Sequence, residues 1–170
     1  MKENHLFKCF IIILICFIID STISFFLPYN YTKSSMTIVP YIGMMMFTLL
    51  VKSLESVEKY FYASICGVYY TVVYSNSLAI YILIYCLIAF VRTHLIKIES
   101  FSILESSIFS IMTIFACEIA VYWLMWITNM TSYPIQDFAL MRLIPTLLVN
   151  FGLSFIVWLV HENIELEVKA

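Results

Sequence analysis

"RLIPTLLVNFGLSFIVWL", residues Arg142 to Leu159, is apolar over enough positions to cross a bilayer, yet its first half holds an arginine, a proline and an asparagine. A transmembrane helix needs about 20 mostly apolar residues to cross ~30 Å of hydrocarbon. Each of the three is disfavoured there: arginine as a charge, asparagine as an amide needing a partner, and proline as a residue with no N–H for the carbonyl four positions earlier. How the chain accommodates them decides whether it carries a substrate, catalyses a reaction or holds other proteins.

Working outward, the 170 residues are 63% hydrophobic and 12% charged, with a mean hydropathy of +0.98, values far from those of soluble domains. The expected fold class is an all-α integral membrane protein: one domain over residues 1–170, a bundle of six transmembrane helices. Apolar segments place the spans at about 6–27, 36–51, 58–74, 78–95, 104–128 and 138–160. With both termini cytoplasmic, Lys2, Lys8, Lys52, Lys59, Arg92, Lys97 and Lys169 fall inside, leaving Lys33 and Arg142 outside. That asymmetry sets the orientation, because positive residues are retained on the cytoplasmic side. Tyr69, Tyr70, Tyr74, Trp123 and Trp126 fall near the outer ends, where amphipathic rings favour headgroups. The first segment is not read as a cleaved leader, since no A-x-A-like site follows it and Asp20 interrupts it. A net charge of −2 without a basic patch argues against nucleic acid as a partner.

The usual carriers of chemistry are sparse. Cys9, Cys16, Cys66, Cys86 and Cys117 lie inside predicted spans, form no C-x-x-C pair and read as small packing residues. His5, His94 and His161 fall at cytoplasmic helix ends. With only Gly43, Gly67 and Gly152 no phosphate-binding glycine loop can form, and neither H-E-x-x-H nor G-x-S-x-G occurs. No cofactor, metal or catalytic residue is expected. Asn30–Thr32 and Asn129–Thr131 match the glycosylation acceptor but, without a secretory context, count as chance matches.

Packing signals are stronger. Ala63, Gly67 and Thr71 recur every four residues on the third predicted helix, and Ser106, Ser110, Thr113 and Cys117 form a second small-residue stripe on the fifth. Such stripes let helices approach closely in lipid; internal packing is the plainer reading, a docking face for another membrane protein the sharper one. Asp20, Glu118 and Arg142 are the ionisable groups within spans, all in the outer half. A charge near mid-membrane is disfavoured by roughly 2.5–3.5 kcal/mol, so an acid held there is expected to face the bundle with a partner. Arg142 is expected to pair with Glu118, Asp20 lying nearby; the alternative is that Arg142 and Asp20 reach outer headgroups. Pro145 is expected to kink the last helix or mark its start near Arg142, with "PIQDFALM" lying along the outer surface. Asn150 then needs a neighbouring helix near mid-depth.

These residues resemble a known family. "RLIPTLLVNFGLSFIVW" resembles the C-terminal helix of the rod shape-determining protein MreD family, which carries arginine, two apolar residues, proline, threonine, a leucine-rich run and asparagine there. "IVPYIGMM" (Ile38–Met45) resembles its Val-Pro at the head of the second helix, and "ACEIAVYWL" (Ala116–Leu124) its glutamate-bearing fifth helix. "SICGVYYTVVY" and "SLAIYILIYCLIAFV" resemble the third and fourth helices, so the likeness covers nearly the whole chain. One departure is Thr71, where family members often carry an aspartate. The resemblance implies a non-enzymatic, multi-pass scaffold subunit of the bacterial plasma membrane, serving cell elongation and shape. Its implied partners are an MreC-like protein, a SEDS glycosyltransferase with a penicillin-binding protein, and MreB where present. Glu118, Arg142, Pro145 and Asn150 would then be structural or docking residues. The competing expectation is the substrate-binding S component of an energy-coupling-factor vitamin transporter, also a small six-helix bundle, which should show an aromatic-lined outer cavity.

Overall fold

The computed structural model describes residues 2–26, 36–74, 80–96 and 101–169, with the side chains of 2–6, 56, 74 and 165–169 aside. Leu27, Asn30–Thr32, Lys33, Leu78 and Lys97, and the side chains of Lys2, His5, Tyr74 and Lys169, therefore lie outside the described residues. Within them helix is the only regular structure, with no strand. In order come α1 (Lys2–Phe26), α2 (Ile42–Leu50) with a 3-10 turn at Val51–Ser53, α3 (Ser56–Tyr74), α4 (Ile80–Phe90) with a π-helical end at Val91–Leu95, α5 (Ile103–Ile127), α6 (Ile135–Phe138), a π-helical stretch at Ala139–Leu143, and α7 (Ile144–Lys169). Since α6, the π stretch and α7 run on without interruption, the segments make six rods. Three of these are long and apolar enough to cross a membrane: Phe7–Phe26, Ile103–Ile127 and Ile135–Ile164.

α2 is the centre of the bundle. It packs against α1, α4, α5 and α7, and every residue from Gly43 to Leu50 is buried. Around it α3 lies against α4 and α5 against α7, while Phe17 of α1 stacks on Tyr69 of α3 at 4.0 Å between ring centres. The start of α5 is written in the sequence: Ser102 and Glu105 form a reciprocal capping box that satisfies two orphan amides.

In two of the expected spans the helix starts elsewhere than the sequence suggests. The second does not begin as helix near Met36; residues 36–41 are non-helical and α2 starts at Ile42. Pro40 pushes Val39 out of the helical region and has no N–H to donate. The last helix begins at Ile135 rather than Phe138 and runs through Pro145, so neither a start near Arg142 nor a separate surface segment is present. Widening to a π-helix across Ala139–Leu143 makes room for the proline ring, a local adjustment typical of proline within membrane helices.

Candidate functional site

Pro145 leaves the carbonyl of Met141 without its helical donor. That carbonyl instead accepts from the backbone N–H of Thr37 at 2.8 Å, the first rung by which the lead-in to α2 is tied to the last rod. The second rung is Thr146, whose hydroxyl accepts from Val39 N–H at 3.3 Å. The third is Asn150, whose amide oxygen accepts from Tyr41 N–H at 2.9 Å while its nitrogen donates to Val39 O at 2.7 Å and Thr146 O at 2.8 Å. Residues 37, 39 and 41 thus turn their backbone toward α7, the two-residue alternation of an extended chain. A backbone without its own helical bonds survives inside a bundle only when its polar groups are met in this way.

Glu118 and Arg142 close the cluster. Arg142 donates through Nε to Oε2 at 2.9 Å and through Nη2 to Oε1 at 3.1 Å, and the Tyr41 hydroxyl adds a third bond to Oε1 at 2.7 Å. This forked guanidinium–carboxylate geometry is the strong form of the interaction. Glu118 is 0% and Arg142 2% exposed, which rules out the reading in which Arg142 reaches headgroups. Pairing and neutral hydrogen bonds offset part of the desolvation that makes isolated buried charges so unfavourable.

Asp20, also fully buried, is used differently. One carboxylate oxygen accepts from Ile42 N–H at 2.9 Å, the other from Gly43 N–H at 2.8 Å and the Tyr70 hydroxyl at 2.5 Å. It therefore caps the first amides of α2, where the helix dipole favours an anion. Gly43 is required there: a Cβ would meet Phe17 Cε1 at 2.6 Å and Asp20 Oδ2 at 3.2 Å. Tyr70 stacks on Tyr41 with ring centres 5.7 Å apart, so the Asp20 and Glu118 clusters share one aromatic wall.

The contribution of the last rod has a simple period. Arg142, Thr146, Asn150 and Ser154, four residues apart, are all buried and form a polar stripe down one face. α5 answers it three turns apart, with Glu118 on Arg142 and Ser107 on Ser154 at 2.9 Å between hydroxyls. Sequence reasoning singled out Arg142, Pro145 and Asn150 but missed Thr146 and Ser154, which the four-residue spacing would have found. Tyr41, Tyr70, Thr37 and Gly43 carry no comparable local signal.

Most of the small-residue stripes is packed inside the chain, while Thr113 and Cys117 also line an open groove of about 380 Å³ with Leu83, Ile84 and Leu87 of α4. Ala63 and Gly67 are buried, and a Cβ on Gly67 would stand 2.3 Å from Ile82 Cα, so α3 meets α4 here backbone to backbone. Thr71 donates to Gly67 O of its own helix at 2.8 Å. On α5, Ser106, Ser110 and Cys117 are buried and Thr113 half-buried, donating to Phe109 O at 2.8 Å. The hydroxyls of Tyr69 and Tyr70 are engaged within the bundle: the first bonds Ser21 and Phe17 O, the second Asp20. Trp123 and Trp126 instead border a shallow cavity of about 330 Å³ with Tyr122, Tyr133 and Pro134.

Chemically the cluster holds a shape. Its two carboxylates are engaged by a guanidinium, two tyrosine hydroxyls and two backbone amides, and among the described residues no three metal-ligating side chains come together. No protein-family model, no curated protein and no solved structure matches this chain.

Proposed function

We propose that this chain is a non-enzymatic scaffold subunit of the bacterial cell-elongation machinery, of MreD type, binding an MreC-like protein and the wall-synthesising glycosyltransferase and transpeptidase. One observation carries the reading. The stretches that resemble that family, Val39-Pro40, Glu118 and Arg142 to Asn150, are distant in sequence yet bonded to one another around Tyr41. A cluster that engages its buried charges in shape is what a scaffold needs and leaves little for turnover.

In this reading the six rods are six crossings of the plasma membrane with both termini cytoplasmic. Lys52 and Arg92 lie on turns that pack together, in keeping with a shared cytoplasmic end. At ~3.3 Å per extended and ~1.5 Å per helical residue, 36–53 reaches on the order of 35 Å, so an extended lead-in plus a short helix is long enough for one crossing. Affinity purification of tagged protein from its own host in mild detergent, with mass spectrometry of proteins and small molecules, tests the proposal. An MreC-like protein with wall synthases is the expected result; paired ATPase subunits would overturn it.

The aromatic cavity beside Trp123 and Trp126 favours a second reading, the S component of a vitamin transporter. A stoichiometric small molecule in the same preparation, raising the thermal stability of the protein, would select it.

A further inference from the structure

We propose that the groove between α1 and α7 seats one acyl chain of an anionic phospholipid, with Lys8 pairing its phosphate. α1 and α7 both pack on α2 and leave an open-sided groove of about 400 Å³ between them. Its floor is Ile42 and Met46; its walls are led by Ile15 and Ile19 on one side and Ile156 and Val160 on the other. These four wall residues are exposed, so the groove opens to the side of the bundle.

The lining selects a lipid chain over a partner helix. Helices associate in membranes through small residues that let backbones approach, and none of the residues lining this groove is Gly, Ala, Ser or Thr. Length agrees. The ~16 Å from Ile12 to Ile23, at ~1.5 Å per helical residue, is about half of the ~30 Å hydrocarbon core, the depth that one acyl chain occupies.

Charge supplies the headgroup. Lys8, Ile12, Ile15, Ile19 and Ile23 share one face of α1 by their spacing of three and four, and Lys8 is exposed at the end of that row. Asp20 is level with Ile42, and Asn150 with Tyr41. Lys8 stands twelve residues back along α1 and His161 eleven forward along α7, so both reach the same end of the groove. Lys52 follows α2 at that end. Glu162 of α7 shares the face of Trp158, whose indole N–H donates to Phe101 O at 3.0 Å, toward α5 and away from the groove, and Glu58 of α3 acts on Cys9, which is buried on another face of α1 from Lys8. A lysine beside an apolar cleft at the headgroup level attracts anionic lipid.

Native mass spectrometry of the full chain, titrated in detergent with dioleoyl phosphatidylglycerol or dioleoyl phosphatidylcholine, tests this. The wild type should retain one phosphatidylglycerol, with about fivefold preference over phosphatidylcholine, the ratio expected for one lysine near an anionic headgroup. K8Q should lose the preference yet still bind lipid. I15W and I156W, which fill the groove from opposite walls at exposed positions, should each lose the bound lipid while the thermal unfolding midpoint stays that of the wild type. Equal retention of both lipids by the wild type, or undiminished binding in a folded I15W or I156W, overturns the proposal. So does a dimer of the chain that either tryptophan disrupts.

Discussion

The entrance to α2 and the α3/α4 contact solve one problem in opposite ways. In lipid no hydrophobic force draws helices together, so association rests on hydrogen bonds or on close van der Waals fit. At the entrance to α2, Asp20, Glu118, Arg142, Thr146 and Asn150 hold a non-helical segment by directional bonds. At Gly67 the close fit is made by the backbone, the missing side chain letting α3 approach Ile82. The first arrangement fixes register and depends on every member. The second fixes distance and tolerates whatever leaves the surface smooth.

Breaking the ion pair should have the largest effect. Arg142→Ala leaves Glu118 buried with its charge uncompensated and should destabilise the protein by about 3–5 kcal/mol, read as a lowered midpoint of thermal unfolding in detergent. The double variant Glu118→Gln with Arg142→Met should be more stable than Arg142→Ala alone, since both charges are gone. If the double is no better, the pair is not what holds this end. Swapping the charges, Glu118→Arg with Arg142→Glu, asks more strictly whether orientation matters.

Asn150→Leu comes next. It removes the acceptor of Tyr41 N–H and the donor to Val39 O, at about 1–3 kcal/mol for buried groups left unsatisfied. Amide hydrogen exchange should rise at Tyr41; unchanged protection there would mean that other groups hold the lead-in. At the contrasting region, Gly67→Ala should force α3 and α4 apart, at about 1–3 kcal/mol as in other overpacked sites. Its signature is a changed α3–α4 distance in spin-label measurements with exchange at Tyr41 unaltered.

Smaller effects sharpen the contrast. Ser154→Ala should lose only about 0.6 kcal/mol, the average for a hydrogen bond between membrane helices. Gly152→Ala should be neutral or raise stability by up to about 1 kcal/mol, because no atom lies within 4 Å of its added Cβ and alanine is the better helix former. A loss at Gly152 equal to that at Gly67 would show that the close approach of α3 to α4 is not the reason Gly67 is needed.

Much of this was legible in the chain. Rod positions follow from runs of apolar residues, and the start of α5 from Ser102 and Glu105. The pairing of Arg142 with Glu118 follows from the scarcity of alternatives within the spans. The non-helical stretch before α2 was not anticipated, although Pro40 announced it, because an apolar run reads as helix when its backbone partners are unknown. Those partners, Thr146 and Asn150, lie more than a hundred residues away.

The sequence by itself determined that this is a helical, strongly apolar chain, since composition and run length decide that; of the six spans read from it, three are single rods long and apolar enough to cross a membrane. It also marked Arg142, Pro145 and Asn150 as exceptions to be explained. Only the tertiary structure decided what they do. Proline frees a carbonyl, asparagine and threonine meet the backbone of a distant segment, and Asp20 caps a helix rather than reaching headgroups, because hydrogen bonds are satisfied by neighbours in space, which local pattern does not specify.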